Sequence, residues 1–280
     1  MTFDKRITPA RADIAARHLT GKVAAKQFVD GHEKTVVAGV APLRGAPDES
    51  AGLETQLIYG ERFTVYEERG GWAWGQAASD SYVGYVPAGA LASGASAPTH
   101  VVTALRTYLY PEANLKRPAR DTLTLGAAVA IEGEEGGYFR VAGGGWLSSA
   151  HVAPLPATAH DFVAVAERFM GTPYLWGGKT AMGLDCSGLV QTALMRADIA
   201  APRDTDMQEK ALGRALDEAE SKELRRGDLV FWKGHVGILT DAATLLHANA
   251  FHMAVAFEPL RYAIERIAKA GQPVTSIRRL

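Results

Sequence analysis

Residues 177–188, GGKTAMGLDCSG, decide the fold of the second half of this chain. The glycines predict a loop, and the apolar run that follows to Leu194 predicts a helix that begins near Asp185. The single cysteine of the chain, Cys186, therefore stands at a helix N-terminus. The first N–H groups of a helix are unpaired and its dipole is positive there, so we expect a stabilised thiolate with a lowered pKa.

The composition argues against several classes of protein. The chain has 280 residues, a formal net charge of -1 and one cysteine. A nucleic-acid or anionic-membrane binder needs a concentrated basic face, which a near-neutral chain does not predict. One cysteine excludes an internal disulfide and every cysteine-rich zinc or iron–sulfur site. An isolated cysteine is commonly buried and inert. The position of Cys186 at a helix start therefore leaves a structural role and a catalytic role equally open.

The sequence contains no recognisable targeting signal. The N-terminal segment mixes acidic and basic side chains and has no apolar run like that of a signal peptide. The longest apolar stretches, at residues 36–43 and around Leu229, are far shorter than the ~20 residues of a membrane helix. We therefore expect a soluble, cytoplasmic protein that does not contact membranes. A signal peptide removed upstream is the alternative.

Residues 35–156 consist of short alternating runs broken by glycine, proline and aspartate, which predicts many short strands. An internal repeat aligns residues 57–72 with residues 123–138, and each copy ends in a Gly-Gly-aromatic hairpin. Two such all-β copies predict two small barrels. The pattern resembles tandem bacterial SH3-like domains, and the alternative is one larger β-sandwich.

These patterns set the expected domain boundaries. We predict an N-terminal arm or helix at residues 1–33, with helical patterning at residues 10–18, and SH3-like domains at residues 34–95 and 96–156. Helical periodicity returns in residues 157–280, where helices and short strands together predict an α+β domain. Its predicted elements are helices over 162–170, from about 185 and over about 260–270, and strands over 228–232, 236–239 and around 245–249.

Two histidines strengthen the chemical interpretation of the cysteine. His235 opens a predicted strand after the Lys233-Gly234 turn, and His247 lies on the next strand. A cysteine, a histidine that takes its proton and a third polar group that orients the imidazole form the general arrangement of a cysteine peptidase. We interpret the other histidines as surface or packing residues: His18, His32, His100, His151, His160 and His252.

Five short motifs then identify a family resemblance. They are YLWGG at 174–178, DCSG at 185–188, PRD at 202–204 with Gln208, GDLVF at 227–231 and HVGI at 235–238. In this order the motifs resemble the NlpC/p60-type cysteine peptidases, which cleave bacterial cell-wall peptides. Together with the two SH3-like domains, the chain resembles the YkfC-type γ-D-glutamyl-L-diamino acid endopeptidases (dipeptidyl peptidase VI) and is expected to have a papain-like α+β fold.

The resemblance implies the roles of the three reactive residues. Cys186 is the expected nucleophile, His235 the base and His247 the orienting third member. The expected reaction releases L-Ala-γ-D-Glu from free murein peptides with an unblocked L-Ala amine. We expect no cofactor and no metal, because His235 and His247 lack a third ligand at a familiar spacing.

Substrate-binding residues are also implied by the resemblance. Asp185 and Asp204 stand at the amine-binding positions, with Tyr174 as a hydroxyl partner. Ser187 and Thr205 match positions that contact the D-Glu part of the peptide. Carboxylates in a confined site bind an ammonium group through charge-assisted hydrogen bonds, which agrees with this assignment.

Simpler roles remain open for some of these residues. Asp185 is also suited to capping the helix that follows it. Arg203 and Asp204 are adjacent, and a surface ion pair between them is the alternative to substrate binding.

The comparison of the two repeats adds two candidates from the first barrel. Where the second copy has Ala127, the first has Glu61, a charge absent from its sister. By the same resemblance, Glu61 supplies a further amine-binding carboxylate and Tyr82 lines the same wall. The alternative for Glu61 is an ordinary solvated side chain.

Three functions compete at this point. The first is the recycling endopeptidase described above. The second is a secreted peptidoglycan hydrolase whose SH3-like domains bind the wall. The third is a non-catalytic wall-binding module, which the presence of Cys186, His235 and His247 disfavours.

Overall fold

The glycine pairs of the internal repeat form two hairpin tips in the structure, a computed structural model that describes residues 3–280. Gly70 and Gly71 have φ angles of 59° and 83°, and Gly136 and Gly137 have φ angles of 54° and 81°. Two consecutive residues with positive φ make a tight turn whose twist matches that of the flanking strands, and glycine adopts it without strain. The repeat in the sequence is therefore also a repeat of backbone structure.

The N-terminal segment, residues 3–31, contains strands and a 3-10 turn. The chain divides into two units, one that ends at Ala157 and one from Thr158 to Leu280, and this segment opens the first. A short parallel strand pair and a 3-10 turn, Arg17–Leu19, replace the helix predicted over residues 10–18. That prediction is wrong because residues 14–16 form a strand that pairs in parallel with residues 27–29, and all three of their side chains are buried, whereas a helix with one apolar face buries only part of such a run. Met1 and Thr2 lie outside the described residues.

The described part of the first unit, residues 3–157, contains seventeen strands. In chain order they are β1 Ile14–Ala16, β2 Gln27–Val29, β3 His32–Val36, β4 Val40–Arg44, β5 Leu53–Ile58, β6 Arg62–Arg69, β7 Trp72–Ala77, β8 Val83–Pro87, β9 Leu91–Ala92, β10 His100–Val102, β11 Arg106–Leu109, β12 Asp121–Thr124, β13 Ala128–Val129, β14 Ile131–Glu135, β15 Tyr138–Val141, β16 Trp146–Ser148 and β17 Val152–Pro154. A 3-10 turn follows β8 at Ala88–Ala90 and β16 at Ser149–His151.

These strands bury two separate hydrophobic clusters. Strands β3 to β9 form one antiparallel sheet in the order β5-β4-β8-β7-β6-β3-β9, and its cluster includes Phe63 and Leu57. Strands β10 to β17 form three small sheets around a second cluster, which includes Leu123 and Leu147. Two clusters favour two small barrels over a single sandwich. The boundary between them near residue 95 stays a prediction.

The second unit combines four helices with eight strands. They are α1 Phe162–Glu167, β18 Lys179–Thr180, β19 Gly183–Leu184, α2 Cys186–Arg196, α3 Thr205–Ala211, β20 Arg214–Ala215, β21 Leu229–Trp232, β22 His235–Leu239, β23 Thr244–Asn249, β24 Ala254–Pro259, α4 Leu260–Lys269 and β25 Val274–Arg279; a 3-10 turn lies at Glu220–Lys222. Among the described residues, every helix is too short or too polar to span a bilayer.

A six-stranded antiparallel sheet organises this unit. Its order is β20-β25-β21-β22-β23-β24, and β21, β22 and β23 are buried along nearly their whole length. Val230 and Trp232 pack with α4, so the alternating residues Leu229 and Phe231 face the opposite side of the sheet. Helix α2 packs against β22 and β23. The sheet therefore holds the strand-borne histidines against the helix that begins with Cys186.

Candidate active site

Helix α2 begins where the sequence predicted, and Asp185 caps it. The Asp185 Oδ1 atom accepts the N–H of Gly188 at 2.7 Å, and Oδ2 accepts the N–H of Gly177 at 2.9 Å. Gly188 also has to be glycine, because a Cβ there would lie 2.1 Å from the carbonyl oxygen of Gly178. The Asp185 carboxylate thus joins the glycine-rich loop to the first turn of α2 through these two hydrogen bonds.

A buried ion pair completes this fastening. The guanidinium of Arg203 donates to both oxygens of Asp185, at 2.9 Å from Nη1 and 2.6 Å from Nη2. Arg203 is 1% exposed and Asp185 is 7% exposed. The alternative pairing of Arg203 with Asp204 on the surface is therefore wrong. Ser187 belongs to the same network, since its hydroxyl accepts from Arg203 and donates to Asp185.

Cys186 is the first residue of α2 and is 7% exposed. Its Sγ atom lies 3.7 Å from Oγ1 of Thr205 and 4.0 Å from the carbonyl oxygen of Gly234. Burial raises the pKa of the Cys186 thiol and the Asp185 charge adds to this, while the Thr205 hydroxyl opposes it. This direction is opposite to the lowered pKa that the helix N-terminus predicts, because burial disfavours the charged thiolate.

His235 is brought to the thiol by a two-residue hairpin. Trp232 and His235 are paired across β21 and β22, so Lys233 and Gly234 form the turn, as predicted. The Gly234 carbonyl in contact with Sγ immediately precedes His235. Strand β22 also packs against α2. His235, the first residue of β22, therefore lies on the same side of the domain as Cys186, the first residue of α2.

The two histidines continue into a chain of hydrogen bonds. His235 Nε2 lies 2.9 Å from His247 Nδ1, and His247 Nε2 lies 3.1 Å from Oε2 of Glu258. Arg266 then donates to both oxygens of Glu258, at 3.1 Å from Nε and 2.7 Å from Nη2. His247 is fully buried. Two linked histidines, a buried carboxylate and a part-exposed guanidinium thus follow one another.

Both imidazoles are neutral at physiological pH. Burial lowers the pKa of His235 to about 4, and the Arg266 charge contributes in the same direction. Burial likewise lowers the pKa of His247 to about 3. The resting site therefore combines a protonated thiol with a neutral imidazole, and a neutral imidazole is able to act as a general base.

Three further predicted site residues lie around the thiol. Thr205, the first residue of α3, contacts Sγ directly. Asp204 precedes it as the N-cap of α3, and its side chain makes no capping hydrogen bond. Burial raises the pKa of Tyr174 to about 12, with contributions from the nearby Cys186 and Asp185 charges. The Tyr174 hydroxyl is consequently protonated at neutral pH and able to donate a hydrogen bond.

The two candidates from the first barrel lie in the first unit. Glu61 follows β5, and its carboxylate accepts the N–H of Ile58 at 3.2 Å. Tyr82 is 3% exposed and belongs to the hydrophobic cluster of the seven-stranded sheet. Their contribution to substrate binding stays a prediction.

Sequence reasoning missed Glu258 and Arg266. Glu258 lies on β24, a strand that the sequence analysis did not predict, and it sits diagonally from His247 because the register pairs His247 with Ala256. The signal was present as an alternating segment, AVAFEP, directly before the C-terminal helix. A strand assigned there would have placed Glu258 on the same face as His247.

His252 is also nearer the site than expected. Its Nδ1 atom lies 3.0 Å from Oδ1 of Asn249, and its ring lies 6.3 Å from that of His247. Ligand atoms of His247, His252 and Glu258 all lie within 4.8 Å of one another, a grouping that sequence spacing did not reveal. Arg266 already occupies both oxygens of Glu258, so this carboxylate is committed to an ion pair.

Comparison with known proteins identifies both units. Residues 171–269 match the NlpC/P60 family, and residues 43–91 match the bacterial dipeptidyl-peptidase Sh3 domain. A γ-D-glutamyl-L-lysine dipeptidyl-peptidase of Bacillus cereus is 28% identical over 240 residues, which cover 74% of this chain and 71% of that protein. The probable endopeptidase NlpC of Escherichia coli is 37% identical over 117 residues, 36% of this chain and 73% of that protein.

A solved structure shares the fold. The crystal structure of an NlpC/P60 family protein from Bacillus cereus matches with a TM-score of 0.74 and 22% sequence identity, over 89% of this chain and 99% of that one. The predicted fold class, an SH3-like β region followed by a papain-like α+β domain, is confirmed.

The raised pKa of Cys186 predicts how the thiol titrates. A raised pKa means that the thiol keeps its proton at neutral pH, so the thiolate should form only above the usual pKa of 9.0. Because the chain has one cysteine, the ultraviolet absorbance of thiolate, measured as the difference between wild type and Cys186→Ala, reports this group alone. We expect no difference signal at neutral pH and a rise on the alkaline side. A constant signal from acidic pH upward would reveal a resting thiolate–imidazolium pair and contradict the raised pKa of Cys186.

Proposed function

Since this chain belongs to the NlpC/P60 family of cysteine peptidases, we propose that it hydrolyses the γ-D-glutamyl-L-diamino acid bond of free murein peptides and releases L-Ala-γ-D-Glu. The observation that carries the proposal is the similarity to γ-D-glutamyl-L-lysine dipeptidyl-peptidases, which extends over 74% of the chain in the Bacillus cereus relative. A short peptide substrate fits a cytoplasmic role in cell-wall recycling, which we propose with it.

The first half-reaction forms a thioester. As Sγ of Cys186 attacks the γ-carbonyl carbon, His235 takes the thiol proton, so a full thiolate never has to persist in the buried site. The carbonyl oxygen becomes an oxyanion, and we assign its stabilisation to the N–H of Cys186 at the start of α2. His235 then gives the proton to the α-amine of the diamino acid, and the C–N bond breaks.

The second half-reaction restores the thiol. His235, neutral again, takes a proton from a water molecule that attacks the thioester carbonyl. The C–S bond breaks, the proton returns to sulfur, and L-Ala-γ-D-Glu leaves with a new γ-carboxyl group, which gives its own proton to the solvent. Each residue regains its starting protonation state.

Amine recognition is assigned to Asp204 rather than Asp185. Both oxygens of Asp185 are engaged by Arg203 and by backbone N–H groups, so its charge is already compensated. Asp204 directly precedes Thr205, the first residue of α3, whose hydroxyl contacts the nucleophile. A carboxylate at this position suits the ammonium group of L-Ala. We assign the Thr205 hydroxyl to the D-Glu part.

Cleavage of matched peptides tests the proposed function. We expect the wild type to release dipeptide from L-Ala-γ-D-Glu-diamino acid peptides and not from their N-acetylated forms, because acetylation removes the ammonium group. Cys186→Ala should be inactive on both. Equal cleavage of the two forms would overturn the amine-recognition argument, and activity on purified sacculi would favour the secreted wall hydrolase instead.

Substitution of Asp204 tests the assigned residue. We expect Asp204→Asn to raise KM for the free-amine peptide about 10- to 100-fold, since a hydrogen bond to a charged group contributes roughly 1.5–3 kcal/mol. Asp206→Asn is the matched control on the same helix, because Asp206 is half-exposed and lies 3.8 Å from Lys210. Steady-state kinetics with an unchanged KM in Asp204→Asn would remove Asp204 from the amine site.

A further inference from the structure

The ion pair of the buried Glu258 and the part-exposed Arg266 has a place in the site that the family motifs do not cover. Oε2 of Glu258 lies 3.1 Å from His247 Nε2, and the same oxygen accepts Arg266 Nη2 at 2.7 Å. Glu258 is 7% exposed. The Arg266 guanidinium is itself held from the other side, because it lies 4.3 Å from the centre of the Phe251 ring. Glu258 is thus fixed in position next to His247.

Hydrogen-bond chemistry then determines where the protons reside. An ionised carboxylate only accepts hydrogen bonds, so His247 must carry its proton on Nε2. The Nδ1 atom of neutral His247 is then an acceptor, and the facing Nε2 of His235 must be the donor. The remaining nitrogen of neutral His235, Nδ1, is left unprotonated. It is the basic nitrogen that general-base catalysis requires.

Arg266 keeps the carboxylate ionised. Burial alone would raise the pKa of Glu258, but the hydrogen bonds and charge of Arg266 hold that pKa below its usual range. If Glu258 were protonated, it would act as a donor toward His247 and the opposite tautomer would be possible. By keeping Glu258 ionised, the guanidinium keeps His247 a donor to Glu258 and His235 a donor to His247.

We propose that Glu258, held by Arg266, is a positioning residue that fixes the tautomers of His247 and His235 and leaves Nδ1 of His235 as the base. This inference rests on the cysteine-peptidase mechanism proposed above and not on the identity of the peptide. Glu258 acts through His247 and touches neither substrate nor thiol in the mechanism. A fixed tautomer saves the enzyme a rotation or proton exchange before each turnover.

The tautomers are measured without any substrate, in full-length protein labelled with ¹⁵N-histidine. Proton–nitrogen correlation spectra, assigned with His235→Asn and His247→Asn, should show the proton of both residues on Nε2 in the wild type. In Glu258→Ala, we expect a mixture of tautomers at His247. Wild-type His247 with its proton on Nδ1, or an unaltered tautomer in Glu258→Ala, would overturn the proposal whether or not murein peptides are cleaved.

Kinetics supply the second measurement, on whichever peptide the wild type cleaves. We expect Glu258→Ala to lower kcat on the order of 10²-fold with KM unchanged, since proton transfer by the base contributes that much. Glu258→Gln should lose less, because its amide oxygen still accepts from His247. Glu265→Ala, the exposed glutamate beside Arg266 on α4, is the matched control and should behave as wild type. A folded Glu258→Ala variant that loses thermal stability but keeps its kcat would show a merely structural role and contradict the proposal.

Discussion

The site depends on the buried ion pair between Asp185 and Arg203. This pair joins the glycine-rich loop to the first turn of α2 and so fixes the residue next to Cys186. A buried ion pair is stable only when both partners are present, because loss of one leaves an uncompensated charge in the interior. The same hydrogen-bond network includes Ser187. In the DCSG motif, Asp185, Ser187 and Gly188 therefore make structural hydrogen bonds around the thiol. The motif is therefore first a means of placing the nucleophile.

The chemistry follows from burial. A buried thiol with a raised pKa and a buried imidazole with a lowered pKa form a neutral pair at rest. Such a pair avoids the desolvation cost of two charges, and charge develops only when substrate is attacked. In the proposed mechanism the thiol proton moves to His235, and we assign the tautomer of His235 to the residues hydrogen-bonded behind it. In this account, the thiol loses its proton only as it attacks the substrate, and not in the resting enzyme.

Much of this arrangement was predictable from local sequence patterns. Helix α2, the β21–β22 hairpin and the histidines on β22 and β23 all follow from periodicity, glycine placement and short motifs. Long-range pairing was not predictable in the same way: Arg203 meets Asp185 across the fold, and Glu258 meets His247 only through the register of β23 and β24. The direction in which the Cys186 pKa shifts also required the structure. A helix start can be recognised from local sequence, whereas burial depends on residues that are distant in the sequence.

Covalent trapping tests the central claim that Cys186 is the nucleophile of a γ-glutamyl peptidase. Wild-type protein is mixed with L-Ala-γ-D-Glu-diamino acid peptide, quenched in acid during turnover and analysed by intact mass and peptide mapping. We predict an added L-Ala-γ-D-Glu acyl group on Cys186 in the wild type and no adduct in Cys186→Ala. Cleavage of the peptide by Cys186→Ala at the wild-type rate, or an acyl group on any other residue, would contradict this account.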